Sequence, residues 1–214
     1  MNRRITKCAI EEIENKRWGI TEQFLEIHEL IYEHGKPKIE RIDSEKEDGT
    51  AVIYFPVKNE KFYFAVYLKT APEVEVVGVD VASNTCVYFK AYSEVFDFDQ
   101  LSSMTLLKPS GGHTKGSKRN RTVNKDSVVR FEPNPEPDEF EDKLRKLLDF
   151  LEQDSDGVKK LADDANGFIQ AAIICHNGNS MLGGPHINKE SIHRMNALNL
   201  AIDFDIYAEG NHWK

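Results

Sequence analysis

The sequence lacks any apolar run long enough to cross a bilayer: stretches such as Ala171 to Cys175 fall far short of the roughly 20 residues a spanning helix needs. It also lacks a secretory leader pattern, because Arg3 and Arg4 lead into a segment broken by Glu11, Glu12 and Glu14 with no apolar stretch between. Cysteine is scarce. Cys8, Cys86 and Cys175 form an odd set at wide, unpatterned spacing, which excludes a disulfide framework and predicts reduced thiols in the cytoplasm. Low-complexity segments and internal repeats are absent. With 214 residues, 40% of them apolar, the chain is long enough to bury a core without a metal or a disulfide, as one large domain or two small ones.

Acidity is what the chain does carry, and it is unevenly spread. The formal net charge is −8. Between Lys108 and Lys125 stand six basic residues (Lys108, Lys115, Lys118, Arg119, Arg121, Lys125) and no acid. From Ser127 to the end, nine basic residues face sixteen acidic ones. One basic loop is therefore set on an acidic body.

Periodicity predicts an α+β fold: antiparallel sheets with helices packed on one face, divided into an N-terminal region over 1–85 and a C-terminal domain over 86–214. Phe24, Ile27, Leu30 and Ile31 predict a helix over Thr21–His34, with Thr21 as N-cap and Gly35 at the left-handed position after its end. Ile5 to Ile13 fits a strand or a short helix. β-branched and aromatic runs predict strands over Lys38–Ile42, Ala51–Val57, Phe62–Leu68, Val74–Val81 and Cys86–Tyr92. Phe96–Leu106 is weakly helical, the basic loop is too rich in glycine and polar residues for regular structure, and Ser127–Phe131 is a strand.

Phe140, Leu144, Leu147, Leu148 and Leu151 make the clearest helical stripe, over Pro137–Glu152, and its acidic start suits the positive end of a helix dipole. A short helix follows over Ser155–Asp164, then a strand over Phe168–His176. Asn188 caps a helix to Ala197. The last strand, Leu200–Tyr207, alternates Ile202, Phe204 and Ile206 with Asp203, Asp205 and Tyr207, as one buried and one wet face would.

Several of these segments carry a resemblance. Val87-Tyr-Phe-Lys-Ala-Tyr-Ser-Glu94, Phe98 to Leu107, Lys108-Pro109-Ser110 with Lys115-Gly116, the leucine-rich helix, the strand ending at His176, Ile187–Leu198 and Ala201–Tyr207 follow one another in the order of bacterial domain-of-unknown-function family 4279. Residues 86–207 resemble that family, with Arg130-Phe131 standing where such proteins often have a Trp. The resemblance implies no activity and no site residue. Some similar small acidic bacterial proteins accompany secreted toxins as immunity proteins.

No candidate motif completes a catalytic set. Gly111 and Gly116 have P-loop spacing, but Ser117-Lys118 reverses the order that phosphate and magnesium chemistry needs. Lys115, Lys118, Arg119 and Arg121 could still grip a polyanion. Without stacking aromatics a nucleic-acid role is disfavoured. Cys175 and His176, adjacent on a strand, point to opposite faces, so a thiolate–imidazole pair would need His186 or His193 from elsewhere. The scatter of His176, His186 and His193 lacks zinc spacing, and no metal or cofactor is expected. Asp203 and Asp205 share one strand face, as acid–base or magnesium chemistry would use them and as any wet strand face provides.

The reading carried forward is a non-catalytic protein-binding protein of immunity type, whose partner is a protein, specifically a basic toxin domain. Its candidate binding residues are Lys115, Lys118, Arg119, Arg121, His186, Asp203 and Asp205. A small-molecule enzyme built on Cys175, His176 and His186, and a polyanion binder using the 108–125 loop, stand as alternatives.

Overall fold

The computed structural model describes residues 2–44, 46, 48–119, 122–178 and 184–212. It is an α+β protein with two large sheets and two small two-stranded ones. Two helices open the chain, α1 (Asn2–Asn15) and α2 (Gly19–Ile27), followed by a small hairpin of β1 (Tyr32–Glu33) and β2 (Lys36–Pro37). A four-stranded antiparallel meander comes next: β3 (Arg41–Asp43), β4 (Thr50–Pro56), β5 (Tyr63–Lys69) and β6 (Glu75–Ala82). Ser83 then passes the chain to β7 (Asn84–Ser93), the centre of the second sheet.

That sheet is completed by β8 (Gly111–His113), β11 (Ser127–Phe131), β12 (Phe168–His176) and β13 (Ile202–Glu209), in the order β13-β12-β7-β11-β8. A two-stranded hairpin of β9 (Lys118–Arg119) and β10 (Thr122–Val123) projects from it. Short α3 (Phe98–Ser102), then α4 (Phe140–Leu151), α5 (Ser155–Asp164) and α6 (Lys189–Ala197), complete the chain. Only β12 and β13 are parallel, joined through α6.

Each sheet buries one face under its own helices. Ile5, Ile13 and Phe24 of α1 and α2 pack on Ile53, Phe55 and Phe64 of the meander. Leu144, Leu147, Leu148 and Leu151 of α4 pack on Val87, Phe89, Ile169 and Ala171 of the second sheet. The meander's other face is also buried, since Val52, Tyr54 and Ala65 all lie away from water.

Five expectations are corrected. The second helix ends at Ile27, because Leu30 and Ile31 are drawn into extended pairing with Val57 and Pro56. Thr21 sits inside that helix and donates to Glu12 Oε1 (2.6 Å), so it caps nothing. Positive φ at His34 (50°) and Gly35 (76°) makes the tight turn of the β1–β2 hairpin, the type that needs two left-handed residues. The basic segment is not irregular: it supplies β8, β9 and β10. Finally, β13 is exposed along almost its whole length rather than on one face, because it forms the sheet edge. The undecided N-terminal stretch is helical, with Ile5, Ala9 and Ile13 buried on one side.

Candidate functional site

The two halves meet around the start of α4. The preceding proline-rich segment is clamped from both sides. Lys143, itself buried, donates through Nζ to the carbonyls of Asn134 (2.8 Å) and Glu136 (2.6 Å). From the meander, Arg41 donates to the Pro137 carbonyl (2.6 Å) and pairs with Asp138 (3.0 Å). Burial pushes the Asp138 carboxyl up, but hydrogen bonds from Lys146 and Arg41 outweigh it and hold it at about 2.

Asp43, Asp138 and Asp142 present carboxylate oxygens within 4.8 Å of one another, the one such cluster among the described residues able to hold a metal. The Lys46 ammonium already sits among them, 2.7 Å from Asp142, 3.7 Å from Asp43 and 3.8 Å from Asp138. A cation is thus supplied by the chain itself, and the cluster reads as an ion-pair network that ties the meander to α4.

Beside this network a cavity of about 300 Å³ opens between the halves. Tyr54 and Tyr67 come from the meander, Ser83 and Thr85 from the junction and β7, Ile173 and Cys175 from β12, and Asp138 to Glu141 from the start of α4. Ile206 of β13 closes one side. The Tyr54 hydroxyl is buried and has no hydrogen-bond partner among the described residues. Burial raises its pKa, and Tyr67, Asp138, Glu139 and Asp43 add to the rise, so the phenol stays protonated.

The sequence candidates are scattered around this framework rather than gathered in it. Lys115 is exposed and donates to the Glu94 carbonyl (2.8 Å). Lys118 and Arg119 fall in the β9–β10 hairpin, while Arg121 lies outside the described residues. His186 is exposed at the mouth of the groove between α4 and α6, its backbone N–H donating to Glu141 (2.9 Å). Asp203 and Asp205 are both exposed on β13, on the face opposite Phe204 and Ile206.

Cys175 and His176 do point apart. Cys175 faces the cavity and accepts a hydrogen bond from Ser83 Oγ (3.3 Å). His176 turns to the other side, against Phe24, Phe62 and His28. Its ring nitrogen Nε2 lies 2.9 Å from Nε2 of His28, a buried contact across 148 positions of sequence. Nothing in local pattern marks this pair or the Tyr54 cavity, since both form only when the halves come together. With Cys175 only 6% exposed, iodoacetamide labelling of the folded protein is expected to modify it least of the three cysteines, and unfolding to equalise them. Rapid native labelling of Cys175 would contradict this.

Among the described residues no helix is long and apolar enough to cross a membrane. The class defined by these features is an α+β protein of two helix-backed sheets joined at a charged seam. Residues 83–209 match the family model described as "Domain of unknown function (DUF4279)". The chain belongs to that family, and the match begins where the chain crosses from the meander into the second sheet. Neither the curated proteins nor the solved structures contain a match to it.

Proposed function

We propose that this chain is a non-catalytic protein-binding protein of the bacterial cytoplasm, an immunity-type protein that neutralises a toxin by taking up a basic strand of it along β13. The observation that supports this reading is the edge. β13 is eight residues long, pairs on one side only among the described residues, and exposes Phe204, Ile206 and Tyr207. Most proteins shield such an edge with charge on both faces, a proline, a bulge or a covering loop, because its unpaired N–H and C=O groups template another strand. An added strand would gain main-chain hydrogen bonds from the edge and side-chain selectivity from its two faces.

Charge selects the partner. Asp203 and Asp205 stand on one exposed face, and their carboxylates have no cation partner among the described residues. Carboxylates so placed attract a basic strand and speed its encounter. The test is co-expression with the toxin reading frame beside its own gene. Wild type is expected to restore growth and to copurify with the toxin, whereas Asp203→Lys combined with Asp205→Lys weakens binding about tenfold or more at low salt. Undiminished protection by the double variant, or no complex with wild type, overturns the proposal.

A further inference from the structure

The cavity beside Tyr54 has a recognisable preference. Its walls are apolar where Phe140, Ile173 and Ile206 meet, and every charged side chain lining it is a carboxylate: Asp138, Glu139 and Glu141. Among the described residues no lysine, arginine or histidine lines it. Asp138 and Glu139 already have cations, through Arg41, Lys46 and Lys146. Glu141 does not: its carboxylate accepts the His186 amide and meets no cation among the described residues.

Tyr54, a residue 2% exposed, also lines the cavity, and its buried hydroxyl has no partner among the described residues. A buried hydroxyl left unbonded is unfavourable, so its site favours an occupant that brings a polar group. Such a cavity disfavours an anion, and a purely apolar group would leave the Tyr54 hydroxyl without a partner. It fits an apolar stem ending in a planar cation, whose several N–H groups can reach a carboxylate and a phenol oxygen together.

The position of the cavity says where that group comes from. Ile206 is in register with Ile173, and both line the cavity. Two residues earlier, Phe204 meets the ring of Phe140, which also lines it, at 5.6 Å between centroids. The cavity therefore lies on the apolar face of β13, next to the open edge. A strand added to that edge presents every second side chain on the same face.

We infer that the cavity is a specificity pocket for an arginine side chain carried by the strand that β13 receives. This inference rests on the strand-addition reading for its source of the arginine, and on the cavity alone for its chemistry. The partner strand would then be held by main-chain bonds along β13 and identified by one inserted guanidinium between Glu141 and Tyr54.

Agmatine, which is arginine without its carboxylate, tests the chemistry by titration into 15N-labelled protein. Saturable shifts are expected at the Thr85, Cys175 and Ile206 amides. Glu141→Gln should weaken binding about tenfold and Tyr54→Phe about fivefold, while Glu190→Gln, in the neighbouring groove, changes nothing. A second arm uses the blocked peptide Val-Thr-Arg-Thr-Val and its norleucine counterpart. The arginine peptide should bind more tightly than agmatine and also shift amides 203–209, and norleucine should abolish the difference.

No saturable agmatine binding, or binding indifferent to Glu141→Gln and Tyr54→Phe, overturns the pocket while leaving the growth assay to judge strand addition. Agmatine binding with no gain from the arginine peptide overturns the assignment to a partner strand and makes a free guanidinium compound the occupant.

Discussion

Asp138→Ala is expected to destabilise the protein by about 3–5 kcal/mol, one of the two largest effects foreseen. The Asp138 side chain is fully buried, and three cations converge on it: Arg41 at 3.0 Å, Lys146 at 2.8 Å and Lys46 at 3.8 Å. Removing the carboxylate leaves Arg41, only 10% exposed along its side chain, facing a carbonyl and more distant acids. The cost is less the lost attraction than the stranded charge, since a buried cation without its counter-ion loses hydration and gains nothing in return. Arg41→Met in the same background should recover part of the loss, because it withdraws the stranded partner.

The same carboxyl sets an acid limit. Its folded pKa of about 2 lies below the ordinary 3.8, so the stability it contributes is complete above pH 4 and is lost as pH falls from about 4 to 2. Urea unfolding at pH 7 and pH 3 measures both effects. A change below about 1 kcal/mol for Asp138→Ala at pH 7 would mean that the seam does not hold the halves together.

The elements that could be read from the sequence are those whose burial is decided by their own residues. The α4 stripe, β11, α5 and β12 appear where periodicity places them, because a single apolar face packs on a single neighbour whichever way the rest of the chain runs. The misread elements answer to partners distant in sequence. Leu30 and Ile31 have helical spacing yet pair with the meander, and β13 alternates like a half-buried strand although its place at the sheet edge exposes both faces. Asp203 and Asp205 were legible as an exposed acidic face for this reason, whereas the cavity was not. Tyr54 and Glu141 lie 87 positions apart, and Tyr54 reads as one more strand aromatic until the second half covers it.

Mild acid should weaken the fold well before Asp138 is protonated, and the His28–His176 pair is the reason. One of the two facing Nε2 atoms must donate and the other accept. Nδ1 of His176 accepts the Gly178 N–H (3.1 Å), and the ring also bonds the Asn211 backbone. Nδ1 of His28 lies 3.9 Å from Glu60. A proton added to whichever ring accepts sets two N–H groups face to face across the 2.9 Å contact.

Burial lowers the pKa of both rings. For His176 the neighbouring His28 lowers it further and His212 adds slightly, against opposing pulls from the Asn211 backbone and Glu60. Both rings are therefore neutral in the fold and take up protons near pH 6.5 when unfolded, so stability is full above that value and falls as pH drops through the lowered folded values. Two protons set a maximum slope of about 2.7 kcal/mol per pH unit. Urea unfolding at pH 7.5, 6.5 and 5.5 should show a steep decline in wild type and a shallow one in the His28→Phe, His176→Phe double variant. Equal stability of wild type at pH 7.5 and 5.5 would refute the pairing as drawn, and an undiminished slope in the double variant would move the acid sensitivity to other groups.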